Sequence, residues 1–153
     1  MLKPLLIAAA VVALVAPTTA VASGLTRPEA SLLRSMNRVR AQHGLAQLRY
    51  DAHLQRAARA HSREMLATNT FAHGAFGSRM LQFDITGSLA GENLAWGTGS
   101  LGSANGIVAS WLASPEHRAN LLRPSFRRVG VGELVGTFSG YRGARVVTAD
   151  FAG

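Results

Sequence analysis

The spacing of apolar positions predicts an amphipathic helix that begins after Thr26. Thr26 and Glu29 stand three residues apart in the pattern of a capping box, with a proline in the first turn between them. Apolar residues then recur every three or four positions up to Val39, which is the period of one helix face. Arg38 and Arg40 interrupt that pattern, so we expect both on the polar side of the helix.

A second helix is predicted between an Asp51 cap and about Thr68. Its apolar face contains His61, for which a hydrogen-bonded position in the core is expected. Beyond this helix, residues 69–91 lose the helical period and are interrupted by glycines, apart from one or two helical turns predicted over residues 78–83.

A sharp break between two helices is predicted at Ser114 and Pro115. The helix before the break is capped by Ser103 and runs through Trp111, and it must end because a proline disfavours helical geometry in the residue before it. Ser114 and Pro115 suit the N-cap and the first position of a new helix. The break therefore fixes the direction of His117, which lies in the first turn of that helix.

The last third of the chain changes to the pattern of strands. Residues 129–134 and 144–151 are rich in β-branched residues and are joined by glycine-containing turn material, so they predict a hairpin. Two glycines in the first of these strands indicate close approach of another backbone. Helices followed by strands are typical of an α+β fold, here a small antiparallel sheet covered by helices.

The first 22 residues have the organisation of a signal peptide. Lys3 gives a positive start, residues 5–15 form an apolar run, and Ala20-Val21-Ala22 offers the small residues of a cleavage site. The run is about half of the ~20 residues that span a bilayer as a helix. We therefore expect a secreted or otherwise extracytoplasmic protein that is not an integral membrane protein after cleavage. The predicted organisation is a signal peptide, a lead-in and one domain, over residues 1–22, 23–31 and 32–151.

Composition excludes several classes of function. The 153-residue chain has no cysteine, which excludes disulfides and attachment of lipid to a lipobox cysteine. Its formal net charge of +8 favours anionic surroundings such as wall polymers or lipid head groups. The arginines are scattered and are not interleaved with aromatic residues, so nucleic-acid binding is not expected.

Three side chains are candidates for chemistry. His73 lies in the irregular segment, and loops on a rigid scaffold carry function more often than their share. Glu92 is a single acid among apolar and small residues, so it is expected to be buried with a partner, either in a functional site or on backbone amides. His117 is the third candidate, because its direction is fixed by the helical break.

Six short motifs follow one another along the chain. They are Asn37-x-x-Arg40-x-x-x-Gly44, Leu54-x-x-Ala57-Ala58-x-x-His61-Ser62, Phe71-x-His73, Gly91-Glu92-Asn93-Leu94-Ala95, Trp111-x-x-Ser114-Pro115-x-His117-Arg118-x-Asn120-Leu121-Leu122 and Val129-Gly130-Val131-Gly132. In this order and spacing they resemble the bacterial branch of the CAP superfamily, which comprises cysteine-rich secretory proteins, antigen five and plant pathogenesis-related proteins. The resemblance covers about residues 32–151.

This resemblance implies a CAP-type α-β-α sandwich with a central cleft lined by two histidines and two acids. Carried over by matching motif, the cleft residues are His73, Glu92 and His117. Ser114 stands where many relatives have the second acid, so the chain departs from the family pattern at the fourth position.

Three roles are open for such a cleft. Binding of a small lipid-like or cell-envelope ligand is favoured over catalysis, and His73 and His117 are the candidate ligands if zinc or another divalent cation takes part. The alternative is a hydrolase of extracellular peptide or wall substrates, with Ser114 as nucleophile, His117 as base and Glu92 as the group that orients it. An N-cap role of the Ser114 hydroxyl would oppose that chemistry. In the third role, the cleft residues hydrogen-bond one another only to stabilise the fold.

Overall fold

The computed structural model describes residues 24–87 and 89–153. The predicted signal peptide lies outside these residues. None of the helices described is long and apolar enough to cross a membrane.

The described chain contains five helices and four strands. The helices are α1 (Arg27–Gln42), α2 (Ala52–Thr68), α3 (Phe76–Gln82), α4 (Ala104–Ala113) and α5 (Pro115–Leu121), and the strands are β1 (Arg49–Tyr50), β2 (Ala90–Gly97), β3 (Arg128–Phe138) and β4 (Tyr141–Ala152). The helices and the β3–β4 hairpin confirm the predicted pattern, and the capping box of Thr26 and Glu29 is present at the start of α1. Strands β1 and β2 were not predicted.

The four strands form one sheet in the order β1-β3-β4-β2. Strands β3, β4 and β2 pair antiparallel, whereas the two-residue β1 pairs parallel with β3. Core side chains from α1, α4 and α5 pack on one face of the sheet, and those from α2 and α3 pack on the other. The predicted α+β class and the α-β-α sandwich are confirmed.

Two glycines of β3 allow the α2 backbone to lie directly on the sheet. A methyl group added at Gly130 would lie 2.0 Å from the carbonyl carbon of Leu54, and one at Gly132 would lie 2.4 Å from the carbonyl oxygen of Ala58. These distances are far below any non-bonded contact. The predicted close backbone approach is therefore confirmed, and it fixes the position of α2 against β3.

The expected polar-face position of Arg40 is wrong, because its side chain is fully buried. Its guanidinium donates hydrogen bonds of 2.8–3.1 Å to four backbone carbonyls. The acceptors are Ala46, Leu121, Arg123 and Phe126. Leu121 is the last residue of α5, and carbonyls at a helix end have no partner within their own helix. Arg40 therefore lies on the buried face of α1, where its guanidinium donates to the carbonyls at the end of α5.

Candidate functional site

Two histidines from opposite layers of the sandwich lie beside β2, which is an edge strand of the sheet. His73 lies between α2 and α3, and its ring contacts Glu92 on β2. His117 lies in the first turn of α5, and its backbone carbonyl accepts a 2.8 Å hydrogen bond from the Asn93 side chain on the same strand. β2 therefore contacts both histidine-bearing segments, through Glu92 and through Asn93.

An exposed imidazole is held by a buried carboxylate at this edge. The Nδ1 atom of His73 lies 2.7 Å from Oε1 of Glu92. The His73 side chain is 58% exposed, whereas that of Glu92 is only 3% exposed. Glu92 therefore fixes the orientation of the His73 ring while the ring itself remains accessible to a ligand.

Glu92 belongs to a buried charged cluster between the sheet and α3. Arg79 of α3 is buried and forms an ion pair with Oε2 of Glu92. Asp150 is the register partner of Glu92 on β4 and is fully buried. Burial raises the pKa of Glu92 to about 7, although Arg79 opposes the shift. Burial and then the charge of Glu92 raise the pKa of Asp150 well above its ordinary value.

His61 closes the inner side of this cluster, as predicted for a core histidine. Its ring is 2% exposed, and Nε2 lies 2.9 Å from the carbonyl oxygen of Ala72 and 3.8 Å from Oε2 of Glu92. The pKa of His61 is lowered, first by burial and then by the charge of Arg79. The hydrogen bond to Ala72 attaches the segment that carries His73 to α2.

His117 and Ser114 form a second pair on the other side of β2. The Nδ1 atom of His117 lies 2.9 Å from the Ser114 hydroxyl oxygen. Ser114 is the N-cap residue of α5, yet its side chain forms no capping hydrogen bond, so the expected N-cap use of its hydroxyl is wrong. The pKa of His117 is lowered, first by burial and then by the charge of His73. A lowered pKa favours the neutral ring, which can accept a proton or a hydrogen bond.

The four predicted cleft residues thus fall into two pairs, His73 with Glu92 and His117 with Ser114. The carboxylate oxygens of Glu92 are engaged by His73 and Arg79, and no contact with the His117 ring is found among the described residues. Glu92 therefore orients His73 in this arrangement and does not orient His117 as the hydrolase hypothesis requires.

Sequence analysis missed Arg79 and Asp150. A signal for Asp150 was present, because it lies two residues from Thr148 and four from Val146 in a strand, so all three side chains point to the same face. Val146 and Thr148 are fully buried. An acid in that row indicates a buried partner. Arg79 carried no comparable signal, since its helix has only seven residues.

The donor set does not make a complete metal site. Glu92 is already engaged by His73 and Arg79, so the only ligands that the two candidate histidines could supply are their Nε2 atoms. In residues 24–87 and 89–153, no group of three His, Asp or Glu side chains is placed to hold an ion. Structural and catalytic zinc sites commonly have at least three protein ligands. The structure thus does not support the metal role expected for His73 and His117.

Comparison with known proteins agrees with this fold. The model of the cysteine-rich secretory protein family, CAP, matches residues 33–151. The uncharacterized protein YkwD of Bacillus subtilis (strain 168) is 35% identical over 120 residues, which cover 75% of this chain and 46% of that protein. The uncharacterized membrane protein YlbC of the same organism is 33% identical over 112 residues, or 70% of this chain and 32% of that protein. The chain spans less than half the length of these curated relatives.

Solved structures show the same sandwich. An extracellular protein containing an SCP domain from Bacillus anthracis has a TM-score of 0.63 at 29% identity, covering 84% of this chain and 44% of that chain. An outer surface protein from Borrelia burgdorferi has a TM-score of 0.66 at 23% identity, covering 78% of this chain and 87% of that chain. At that identity the second similarity shows the fold alone.

Proposed function

The chain belongs to the CAP family, and from that premise we propose that it is an extracytoplasmic binding module whose ligand contacts His73 and His117. The signal-peptide pattern of residues 1–22 supports export. Two similar structures are of an extracellular protein and an outer surface protein, which supports export as well. The single observation that carries the binding role is the His73–Glu92 pair. It combines an exposed ring with a buried anchor, which is the arrangement of a preorganised contact.

The ligand class follows from the surroundings of the two rings. The chain has a formal net charge of +8, which attracts anionic envelope polymers and lipid head groups toward the domain. At the cleft itself, polar ring nitrogens lie beside a strand in which Glu92 and Asn93 are followed by the apolar Leu94 and Ala95. A small lipid-like or wall-derived molecule with both apolar and polar groups fits these conditions.

Replacement of both cleft histidines should remove the ligand and leave the fold intact. We expect small molecules that co-purify with the wild type, identified by mass spectrometry, to be lost in the His73→Ala, His117→Ala double variant. The His43→Ala, His53→Ala double variant is the matched control, because both of those rings lie at exposed positions outside the cleft. Retention of the same molecules in both variants would contradict the binding site. If no molecule binds the wild type at all, the cleft residues have a structural role only.

A second function is favoured by one contact, the 2.9 Å hydrogen bond between Ser114 and His117. A serine hydroxyl paired with a neutral imidazole is the minimal arrangement for nucleophilic attack on an acyl group. No carboxylate of the described residues is bonded to His117, so the pair lacks the third group that orients the base in serine hydrolases.

A fluorophosphonate probe separates binding from hydrolysis. If the chain is a hydrolase, the wild type should be labelled and Ser114→Ala should not, while Ser110→Ala, a change at an exposed serine of α4, should label normally. We expect no labelling of the wild type, since the orienting group is missing. Labelling that depends on Ser114 would replace the binding proposal by the hydrolytic one.

A further inference from the structure

The fully buried carboxyl of Asp150 is not explained by binding alone. Its two oxygens have no hydrogen-bond donor among the described residues when both it and Glu92 are ionised. The nearest cationic atom, Nη2 of Arg79, lies 3.9 Å from Oδ1 of Asp150 and is bonded to Glu92. A buried polar group without a partner costs about 1–3 kcal/mol, and more when charged. We therefore expect one of the two carboxyl groups, Glu92 or Asp150, to be protonated.

One proton resolves this conflict. Glu92 and Asp150 are register partners on β2 and β4, which brings their side chains next to each other on one face of the sheet, so a proton shared between the two carboxyl groups would turn repulsion into a hydrogen bond. Arg79 pairs with Glu92 and stays beyond bonding distance of Asp150, so the guanidinium favours ionised Glu92. Above pH 7, where Glu92 is ionised, the remaining proton consequently belongs on Asp150, which donates to Glu92.

The position of that proton decides which nitrogen of His73 faces the cleft. Ionised Glu92 can only accept, so the Nδ1 atom of His73, 2.7 Å away, must carry a hydrogen. In a neutral ring the other nitrogen, Nε2, is then an acceptor. If a proton were on Oε1 of Glu92 instead, it would donate to Nδ1, and Nε2 would carry the hydrogen. The charged and titratable groups that face Glu92 are His61, His73, Arg79 and Asp150.

We propose that Asp150 and Arg79 are positioning residues of the cleft, because protonated Asp150 and Arg79 together hold Glu92 ionised. Ionised Glu92 in turn holds His73 in the Nδ1–H tautomer. The Nε2 atom of His73 then accepts a hydrogen bond from the ligand. The ligand group at this point is therefore a donor, such as a hydroxyl or an amide N–H, and not a carboxylate or phosphate. This statement about the ligand rests on the binding function proposed above. The tautomer of His73 does not.

Nitrogen-15 NMR of the His73 ring at pH 8 tests the proposal on the protein without any ligand. The resonances are assigned by their loss in His73→Gln. We expect the wild type to show the Nδ1–H tautomer, Asp150→Asn to keep it because the amide still donates to Glu92, and Asp150→Val to lose it. The tautomer of exposed His53 should be the same in all three proteins and serves as the internal control.

Each outcome of the NMR experiment supports or overturns the proposed role of Asp150. An Nε2–H tautomer in the wild type overturns the proposal, as does loss of the Nδ1–H form in Asp150→Asn. A folded Asp150→Val protein that keeps the Nδ1–H form shows that Asp150 does not position the ring. If Asp150→Val fails to fold, the wild type and Asp150→Asn still decide. A failure here leaves the co-purification result untouched, so the two proposals can fail separately.

Discussion

Gly130→Ala should strongly destabilise the folded domain, although it adds a single methyl group. That methyl group would lie 2.0 Å from the carbonyl carbon of Leu54 and 2.1 Å from the amide nitrogen of Gln55, both atoms of the α2 backbone. Neither atom can move without lifting the helix from the sheet. Overpacking that a side chain can relieve costs about 1–3 kcal/mol, so a clash with fixed backbone is expected to cost at least about 3 kcal/mol. In a thermal unfolding experiment this lowers Tm by about 10 °C or more.

Gly136→Ala is the matched control on the same strand and the same face. A methyl group there would lie 3.0 Å from the Cδ atoms of Leu66, which is a flexible side chain. We expect a change in the free energy of unfolding below about 1 kcal/mol, because a small rotation of Leu66 removes the contact. Equal stabilities of the two variants would mean that α2 does not lie against β3 as described.

Local patterns explain why most of the fold was predictable. Helix α1 was located from its capping box and its apolar period, and the β3–β4 hairpin from β-branched residues on either side of a turn. Strand β2 was missed because Glu92 and Asn93 interrupt its apolar pattern. Both are buried through tertiary contacts, with Asn93 bonded to His117 and Glu92 to Arg79. No feature of the local sequence reports those partners.

Membership of the site stays a prediction from the motifs. The motifs named His73, Glu92, His117 and Ser114, and the structure places all four beside β2 in two hydrogen-bonded pairs. The contact of Ser114 with His117 agrees with the nucleophile and base predicted three residues apart, whereas that of His73 with Glu92 depends on how distant segments pack, which the sequence does not report. Arg40 shows the same limit, since its position in the core follows from distant carbonyls and not from its own helix.

The raised pKa values of Glu92 and Asp150 predict a contribution to stability that decreases as pH rises. The pKa of Glu92 is about 7 in the folded state against an ordinary value of 4.5, so the folded protein holds its proton more tightly than the unfolded chain does. That contribution is fully present below about pH 4.5 and is lost as pH rises through 7. A shift of this size corresponds to about 3 kcal/mol. Asp150 adds to the loss, because its pKa is also raised.

His61 and His117 act in the opposite direction. Their pKa values are lowered, so their contribution is present above their ordinary value of 6.5 and is lost as pH falls through their folded values. The pH profile of the wild type alone is therefore a sum of opposing effects. A comparison with a variant that changes one carboxyl isolates the carboxyl contribution, since the histidine contributions are shared.

Asp150→Asn should accordingly gain stability relative to the wild type as pH rises from 4.5 to 8 in urea unfolding experiments. The amide can still donate a hydrogen bond to Glu92 but takes up no proton on folding, whereas the Asp150 carboxyl must be protonated in the folded protein at a cost that grows as pH rises. Asp51→Asn is the control of opposite sign, because hydrogen bonds to backbone amides and to Arg128 outweigh the effect of burial and lower the pKa of Asp51. Its stability difference from the wild type should stay constant over this range and shrink only below it. A constant difference for Asp150→Asn as well would mean that Asp150 is already ionised in the folded protein at pH 4.5.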